Sequence, residues 1–480
     1  MRVAAAVFAW FLTSLPLGAQ AAPLLVVTVV DDAGQPMPDV KVSVLPLDQP
    51  EISKRTDAEG KATFEIPPGD YRVTAFAERY RRATSLITVA PNEPTPLKMV
   101  LRKGPVSDPP PPPMPVPQPV EQPVWATTDI EQKKDFARVR IYYATDRKYT
   151  GASKPESAYG SQRGELTRGV ADVSIPRDHR IGRIESASIL RLEFRENPAK
   201  HVVLLNVLPQ AKNAFYAKLR DSVARSKSHQ AFIFIHGFNN SFADAAKRTA
   251  QIKYDLAFDG PAILFSWPSL ASAKPTAYMA DENNSEWSIP HLRDFLLEVA
   301  QESGAQAINV IGHSMGNRVL ARAFQQLPPT PGPRFNQVLL TAPDIDVDVF
   351  RELAATIRAA SRHVTLYVSN HDEALDLSRQ LHGGIPRAGD SSQSVVIADG
   401  IDTVDVSAVD TSFLGHSYVA DNRTVLSDVY CLIRGAAQAA TRCRLVSRRG
   451  YWEFAAQLDD VVSLVDYVCS APGCRLSDRP

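Results

Sequence analysis

A chain of 480 residues is too long to fold around one ordinary core, so two or three domains are expected. Its 53 basic and 53 acidic residues balance, which leaves no global field to draw nucleic acid or an acidic partner. Hydrophobic content, at 44%, is that of a globular protein, whereas 37 prolines are many and are clustered.

Residues 1–22 read as a secretory signal: Arg2 is the charged start, Val3 to Leu17 the apolar core, and Ala19-Gln20-Ala21 the small residues at which cleavage occurs. The apolar stretch is short for a membrane span and contains Pro16. The first cysteine is Cys431, so no thiol stands near the cleavage site to take a lipid. The expectation is an exported protein, periplasmic or extracellular, with no transmembrane segment after signal removal.

From Leu24 to Lys103 the apolar residues recur with a period of two. Val40, Val42 and Val44 alternate with Lys41 and Ser43; Ala62, Phe64 and Ile66 with Thr63 and Glu65; Tyr71, Val73 and Ala75 with Arg72 and Thr74. Turn residues at Asp32-Ala33-Gly34, Asp57-Ala58-Glu59-Gly60 and Pro67-Pro68-Gly69-Asp70 separate them, at the spacing of a small all-β sandwich. This wording resembles the carboxypeptidase regulatory-like domain. The resemblance implies a non-catalytic module that either contacts an envelope polymer or holds the rest of the chain at a distance. Residues 104–123 follow, with a run of five prolines, and favour extended polyproline II over helix or ladder, spanning up to roughly 60 Å as a stiff spacer.

Residues 124–425 alternate strands with helices, the pattern of a mostly parallel sheet covered by helices. A strand-rich start covers Val139 to Thr145, Val170 to Ile175, Ala187 to Phe194 and Val202 to Leu205. Ala231 to Ile235, Ala262 to Ser266, Ile308 to Ile311 and Val338 to Thr341 are short and apolar throughout, as strands buried on both faces are. Ile289, Leu292, Phe295, Leu296 and Val299 make a helical stripe ended by Gly304. Pro268 to Trp287 is irregular and reads as a short cap.

The chemistry centres on Gly312-His313-Ser314-Met315-Gly316, which ends one apolar strand and begins a helical pattern. G-x-S-x-G between strand and helix is similar to the nucleophile elbow of α/β-hydrolases, a turn so tight that small residues must flank the serine. Ser314 is the candidate nucleophile. A second strand runs into His236-Gly237-Phe238-Asn239, where that fold places one oxyanion-hole amide. The expected donors are the backbone N–H groups of Phe238 and Met315, with His236 as a brace.

A serine nucleophile needs a base, and the base an orienting acid, in the chain order Ser, Asp or Glu, His. Of the later histidines, His363 opens a strand at its wrong end, and His371 and His382 read as loop or packing residues. His416 follows Ile401 to Val409, which reads as the last strand, and is the candidate base. Two acids compete. Asp372 follows strand seven of the usual sheet and begins a helical pattern. Asp344 follows strand six and reads either as the cap of the helix through Phe350 or as a second acid or substrate contact.

Phe234-Ile235-His236-Gly237-Phe238-Asn239, Leu264 to Ser269, the elbow, Ala342-Pro343-Asp344 and Tyr142 to Arg147 together resemble a bacterial α/β-hydrolase family of unknown function, over Arg138 to Tyr418. The resemblance implies an α/β-hydrolase fold with Ser314, Asp372 and His416 as triad, and no metal or organic cofactor. It supplies no substrate. The expected activity is that of a carboxylesterase acting on a small-molecule or lipid-like acyl substrate. An amidase, peptidase or acyltransferase on the same triad stays open, as does a catalytically silent envelope-binding protein.

Residues 426–480 extend beyond the resemblance and hold all four cysteines. In an exported chain these read as two disulfides in one of three connectivities, the local loops Cys431 to Cys443 and Cys469 to Cys474 being favoured. Leu458, Val461, Val462, Val465 and Val468 form a helical stripe expected to pack on the catalytic domain.

Overall fold

A computed structural model describes residues 24–46, 52–77, 80, 83–90, 94–102, 129–187, 195–409, 423–433, 438–442 and 444–454. The expected signal at residues 1–22, the proline-rich run, His416, the stripe from Leu458 and Cys443, Cys469 and Cys474 lie outside these residues, and the expected disulfides with them. So does the strand expected at Ala187 to Phe194, apart from Ala187, which carries no strand. The chain divides into two units, Met1–Gln118 and Pro119–Pro480.

The first unit contains seven described strands: β1 Leu24–Asp31, β2 Lys41–Pro46, β3 Ile52–Arg55, β4 Lys61–Glu65, β5 Gly69–Phe76, β6 Ala83–Val89 and β7 Thr95–Leu101. They form two sheets, in the orders β4-β1-β7 and β3-β2-β5-β6. The period-two pattern sends Leu25, Val27 and Val29 from one sheet and Val42, Val44 and Val73 from the other into a single core. This is the expected small all-β sandwich.

In the second unit β8 Ile130–Gln132, β9 Phe136–Tyr149, β10 Tyr159–Pro176 and β11 Val203–Gln210 are joined by antiparallel pairing and form one flank of a long sheet. Alternation with helices then begins: α1 Lys212–Arg225, β12 Gln230–Ile235, α2 Phe242–Asp255, β13 Ala262–Ser266, α3 Pro275–Glu302, β14 Ala307–His313 and α4 Gly316–Gln325. It continues with β15 Phe335–Thr341, α5 Val347–Ala360, β16 Ser361–Val368, α6 Glu373–Leu381, β17 Asp402–Asp405, α7 Arg423–Ile433, β18 Leu445–Ser447 and β19 Trp452–Phe454. The sheet runs β11-β10-β9-β13-β12-β14-β15-β16-β17-β19-β18, parallel from β9 to β19. Successive strand residues face opposite layers. Ile233, Val310 and Leu340 pack with α1, α3, α4 and α5, while Phe234, Ile311 and Leu339 pack with α2 and α7. The mostly parallel sheet covered by helices is therefore present.

Three local expectations are corrected. Pro268 to Trp287 is irregular only as far as Lys274, because α3 starts at Pro275, a favourable first-turn position, and runs unbroken through Pro290. The helix through Phe350 is capped by Asp346, whose side chain accepts from the Asp348 and Val349 amides, and not by Asp344. The strand expected from Ile401 to Val409 is only Asp402–Asp405, and it is not the last, since β19 pairs with it in parallel.

Candidate active site

Four loops leave the carboxyl ends of neighbouring parallel strands and meet there, where α/β sheets place their ligands. Between β14 and α4, Ser314 has φ of 51°, a left-handed conformation rare for a residue with a side chain. The strain is held by a small network. The Ser314 amide donates to the Thr341 carbonyl at 3.0 Å, the Asn317 side-chain amide reaches the same carbonyl at 3.0 Å, and the Asp344 amide donates to the Ser314 carbonyl at 3.3 Å. Close approach explains the small neighbours. A Cβ on Gly316 would stand 2.4 Å from the His236 carbonyl oxygen, so α4 could not come this near the β12 loop with a larger residue there.

The loop after β12 is built from inward-turned carbonyls. Trp267 Nε1 donates to the His236 carbonyl at 2.7 Å, and Asn240 Nδ2 donates to the Phe238 carbonyl at 2.8 Å. The Gly237 carbonyl accepts from His236 Nδ1 at 2.8 Å and from Asn240 Nδ2 at 3.3 Å. Because that contact requires a proton on Nδ1, Nε2 is the acceptor, and Ser266 Oγ lies 3.1 Å from it. Burial, with the Arg147 charge beside it, lowers the His236 ring to about 3, so it is a neutral brace stacked on Trp267. A trans peptide is planar, with C=O and N–H pointing opposite ways. Clamping the Gly237 carbonyl inward therefore turns the Phe238 amide outward. Neither that amide nor the Met315 amide has a hydrogen-bond acceptor among the described residues.

Asp344 and Asp372 are both buried but differ in their partners. Asp344 receives Tyr278 Oη on Oδ2 and Ser378 Oγ on Oδ1 at 2.6 Å, with Arg387 Nε 3.5 Å from Oδ1. Burial, reinforced by Asp344, raises the Tyr278 phenol well above its ordinary range and keeps it a donor. Asp372 caps α6, its Oδ1 accepting from the Leu375 amide at 3.0 Å. Among the histidines, His382 faces the Ser378 carbonyl at 2.7 Å and Glu282 at 2.8 Å. His363 pairs with Gln337 at the opposite end of the strands from Thr341.

Residues 211–434 match a family described as an α/β hydrolase of unknown function (DUF900). That segment contains the elbow, the clamped loop and both acids. It is an α/β-hydrolase domain. Ahead of the hydrolase, residues 25–102 match the carboxypeptidase regulatory-like domain. The hydrolase family implies hydrolytic chemistry and names no substrate.

No curated protein matches the chain. Solved structures similar to it include the Bacillus anthracis TIE protein, 11% identical over 32% of this chain and 26% of that one, with a TM-score of 0.16. The minor pilin GBS52 of Streptococcus agalactiae is 16% identical over 18% of this chain and 47% of its own, also with a TM-score of 0.16. Klebsiella pneumoniae 5-hydroxyisourate hydrolase is 23% identical over 17% of this chain and 91% of its own, with a TM-score of 0.15. The chain thus spans about a quarter and about half of the length of the first two. Likenesses at these scores carry no argument about the hydrolase.

The residues that hold Asp344 were not foreseen. Tyr278, Asp281, Ser285 and Ser288 are buried along one side of α3 at helical spacing, a polar stripe that was the available signal. Among the described residues no group of three or more His, Cys, Asp or Glu is placed to hold a metal ion. No described helix is long and apolar enough to cross a membrane.

Proposed function

We propose that the protein is an exported serine hydrolase of the carboxylesterase type. The observation that carries this reading is the strained Ser314, held at φ of 51° between β14 and α4 with the loop at Gly237 packed against it. Ser314 Oγ attacks the acyl carbonyl and its proton passes to His416. The oxyanion takes up the two amides, each worth on the order of 3 kcal/mol to the transition state in a dry site. Collapse breaks the ester bond and His416 returns the proton to the departing alcohol. Water, deprotonated by the same histidine, then releases the acid and restores the serine.

His416 is assigned as base from its place after β17. Asp372 is assigned as the acid that orients the ring, because the Asp344 carboxylate already serves Tyr278, Ser378 and Arg387 on both oxygens. The β-sandwich and the proline-rich run then act as an accessory module and spacer, the module being the part that would touch an envelope polymer. The deciding experiment is active-site labelling with a fluorophosphonate, followed by hydrolysis of p-nitrophenyl esters of increasing acyl length and the matching anilides. Wild-type labelling that vanishes in Ser314→Ala supports the reading. Labelling retained in that variant ends it, and anilides cleaved in preference to esters convert it to an amidase.

A further inference from the structure

Arg147 lies near the end of β9 with its side chain fully buried. Its five N–H donors meet five acceptors: Nε reaches Ser266 Oγ at 2.9 Å, and Nη1 reaches the Ser269 carbonyl at 2.9 Å and the Gly160 carbonyl at 3.3 Å. Nη2 reaches the Asn240 carbonyl at 2.7 Å and stands 3.5 Å from His236 Nε2. None of these is a carboxylate. Burial pulls the guanidinium down to about 10, which still leaves it cationic at neutral pH. A buried cation satisfied by neutral acceptors is costly to desolvate. What the guanidinium adds is a rigid plane that holds two loops at once. Asn240 and His236 belong to the loop after β12, and Ser266 and Ser269 to the end of β13 and the turn beyond it.

We propose that Arg147 is a positioning residue of the oxyanion hole, an inference that rests on the serine-hydrolase reading above. Its fork ties the Asn240 carbonyl and the His236 ring to the end of β13. The His236 ring holds the Gly237 carbonyl inward, and the Asn240 side chain does the same for Gly237 and Phe238. The Phe238 amide is thereby kept facing the site. Lysine cannot replace this function, because a single ammonium on a flexible stem does not present a planar fork to both loops.

The test is the rate of phosphonylation by a fluorophosphonate, which needs no knowledge of the natural substrate. That step forms the Ser314 Oγ–P bond, breaks P–F and sends the serine proton to His416 and fluoride to solvent, with the phosphoryl oxygen in the same hole. In Arg147→Gln and Arg147→Lys the maximal labelling rate is expected to fall about 10²-fold, with the half-saturating probe concentration within about threefold of wild type. Ser266→Ala removes one acceptor, leaves the arginine in place, and is expected to slow labelling about tenfold. A merely structural arginine would lower the melting temperature and leave the labelling rate per folded molecule unchanged, and that result overturns the proposal. Should the Arg147 variants fail to fold, Ser266→Ala decides alone, a wild-type rate overturning it. Labelling that survives Ser314→Ala brings down the serine-hydrolase reading instead, a failure distinguishable from that of Arg147.

Discussion

Gly237 lies so close to Ser314 that a methyl group on its Cα would stand 2.6 Å from the serine Cβ and 3.0 Å from His313 Nδ1. The glycine is therefore a contact requirement of the elbow. Gly237→Ala should push the loop off the serine, lowering turnover by about 10²-fold for misplaced amides and stability by about 1–3 kcal/mol for overpacking. Gly332→Ala, whose methyl meets nothing within 4 Å, is the control and should change neither. Esterase assays beside thermal melts check both, and an unaffected Gly237→Ala enzyme would mean that the loop is not part of the site.

The two acids separate by kinetics. Asp372→Asn is expected to cut turnover by about 10³–10⁴-fold with folding intact, as when a histidine loses its orienting carboxylate. Asp344→Asn should act mainly on stability, by about 1–3 kcal/mol, because Tyr278 Oη and Ser378 Oγ lose a charged acceptor. Steady-state rates and urea unfolding of both variants measure this. A larger kinetic loss in Asp344→Asn would transfer the role to Asp344.

His179 sits between Glu185, 2.8 Å from Nδ1, and Asp255, 2.9 Å from Nε2. Burial works against its charge, but the bonds to Asp255 and Glu185 prevail and raise it to about 9 from the usual 6.5. The folded state thus holds this proton more tightly than the unfolded chain. The stabilisation, on the order of 3 kcal/mol, is complete below pH about 6.5 and is lost as pH rises through about 9. The melting-temperature gap between wild type and His179→Gln should accordingly narrow between pH 6.5 and 10, and a gap independent of pH would show that His179 is uncharged.

Asp428 of α7 accepts from Tyr367 Oη at 2.7 Å and pairs with Arg442 at 3.2 Å, all three being buried. Burial outweighs Arg442 and raises the Asp428 carboxyl. Arg442→Met leaves that carboxylate without a counter-charge and should cost about 3–5 kcal/mol. Asp428→Asn combined with Arg442→Met should cost less than the sum of the two single changes, as read from urea unfolding in a double-mutant cycle. Additive losses would mean that the two side chains are not coupled.

The strands of the catalytic sheet were readable because β12 to β16 are buried on both faces and so carry uninterrupted apolar runs. The elbow was readable because steric limits at Gly312 and Gly316 leave few residue choices. The first half of α3 was not, for a physical reason: it buries Tyr278, Asp281, Ser285 and Ser288, so its inner face is polar and shows no hydrophobic period, unlike the apolar stripe from Ile289 to Val299. Arg147 looked like one letter in a family motif, since five hydrogen bonds to residues 13 to 122 positions away leave no local trace. β18 and β19, of three residues each, are too short for any periodicity to register.

The family match spans 211–434, yet the sheet continues past it on both sides, with β9 lying against β13 and β19 against β17. A protein trimmed to the matched residues would lose both neighbours and present two raw parallel edges of unpaired amides and carbonyls, which are templates for self-association. Such a fragment is expected to precipitate or to bind copies of itself while keeping every proposed catalytic residue, so inactivity in it would report on its missing flanks and leave the chemistry of Ser314 unjudged.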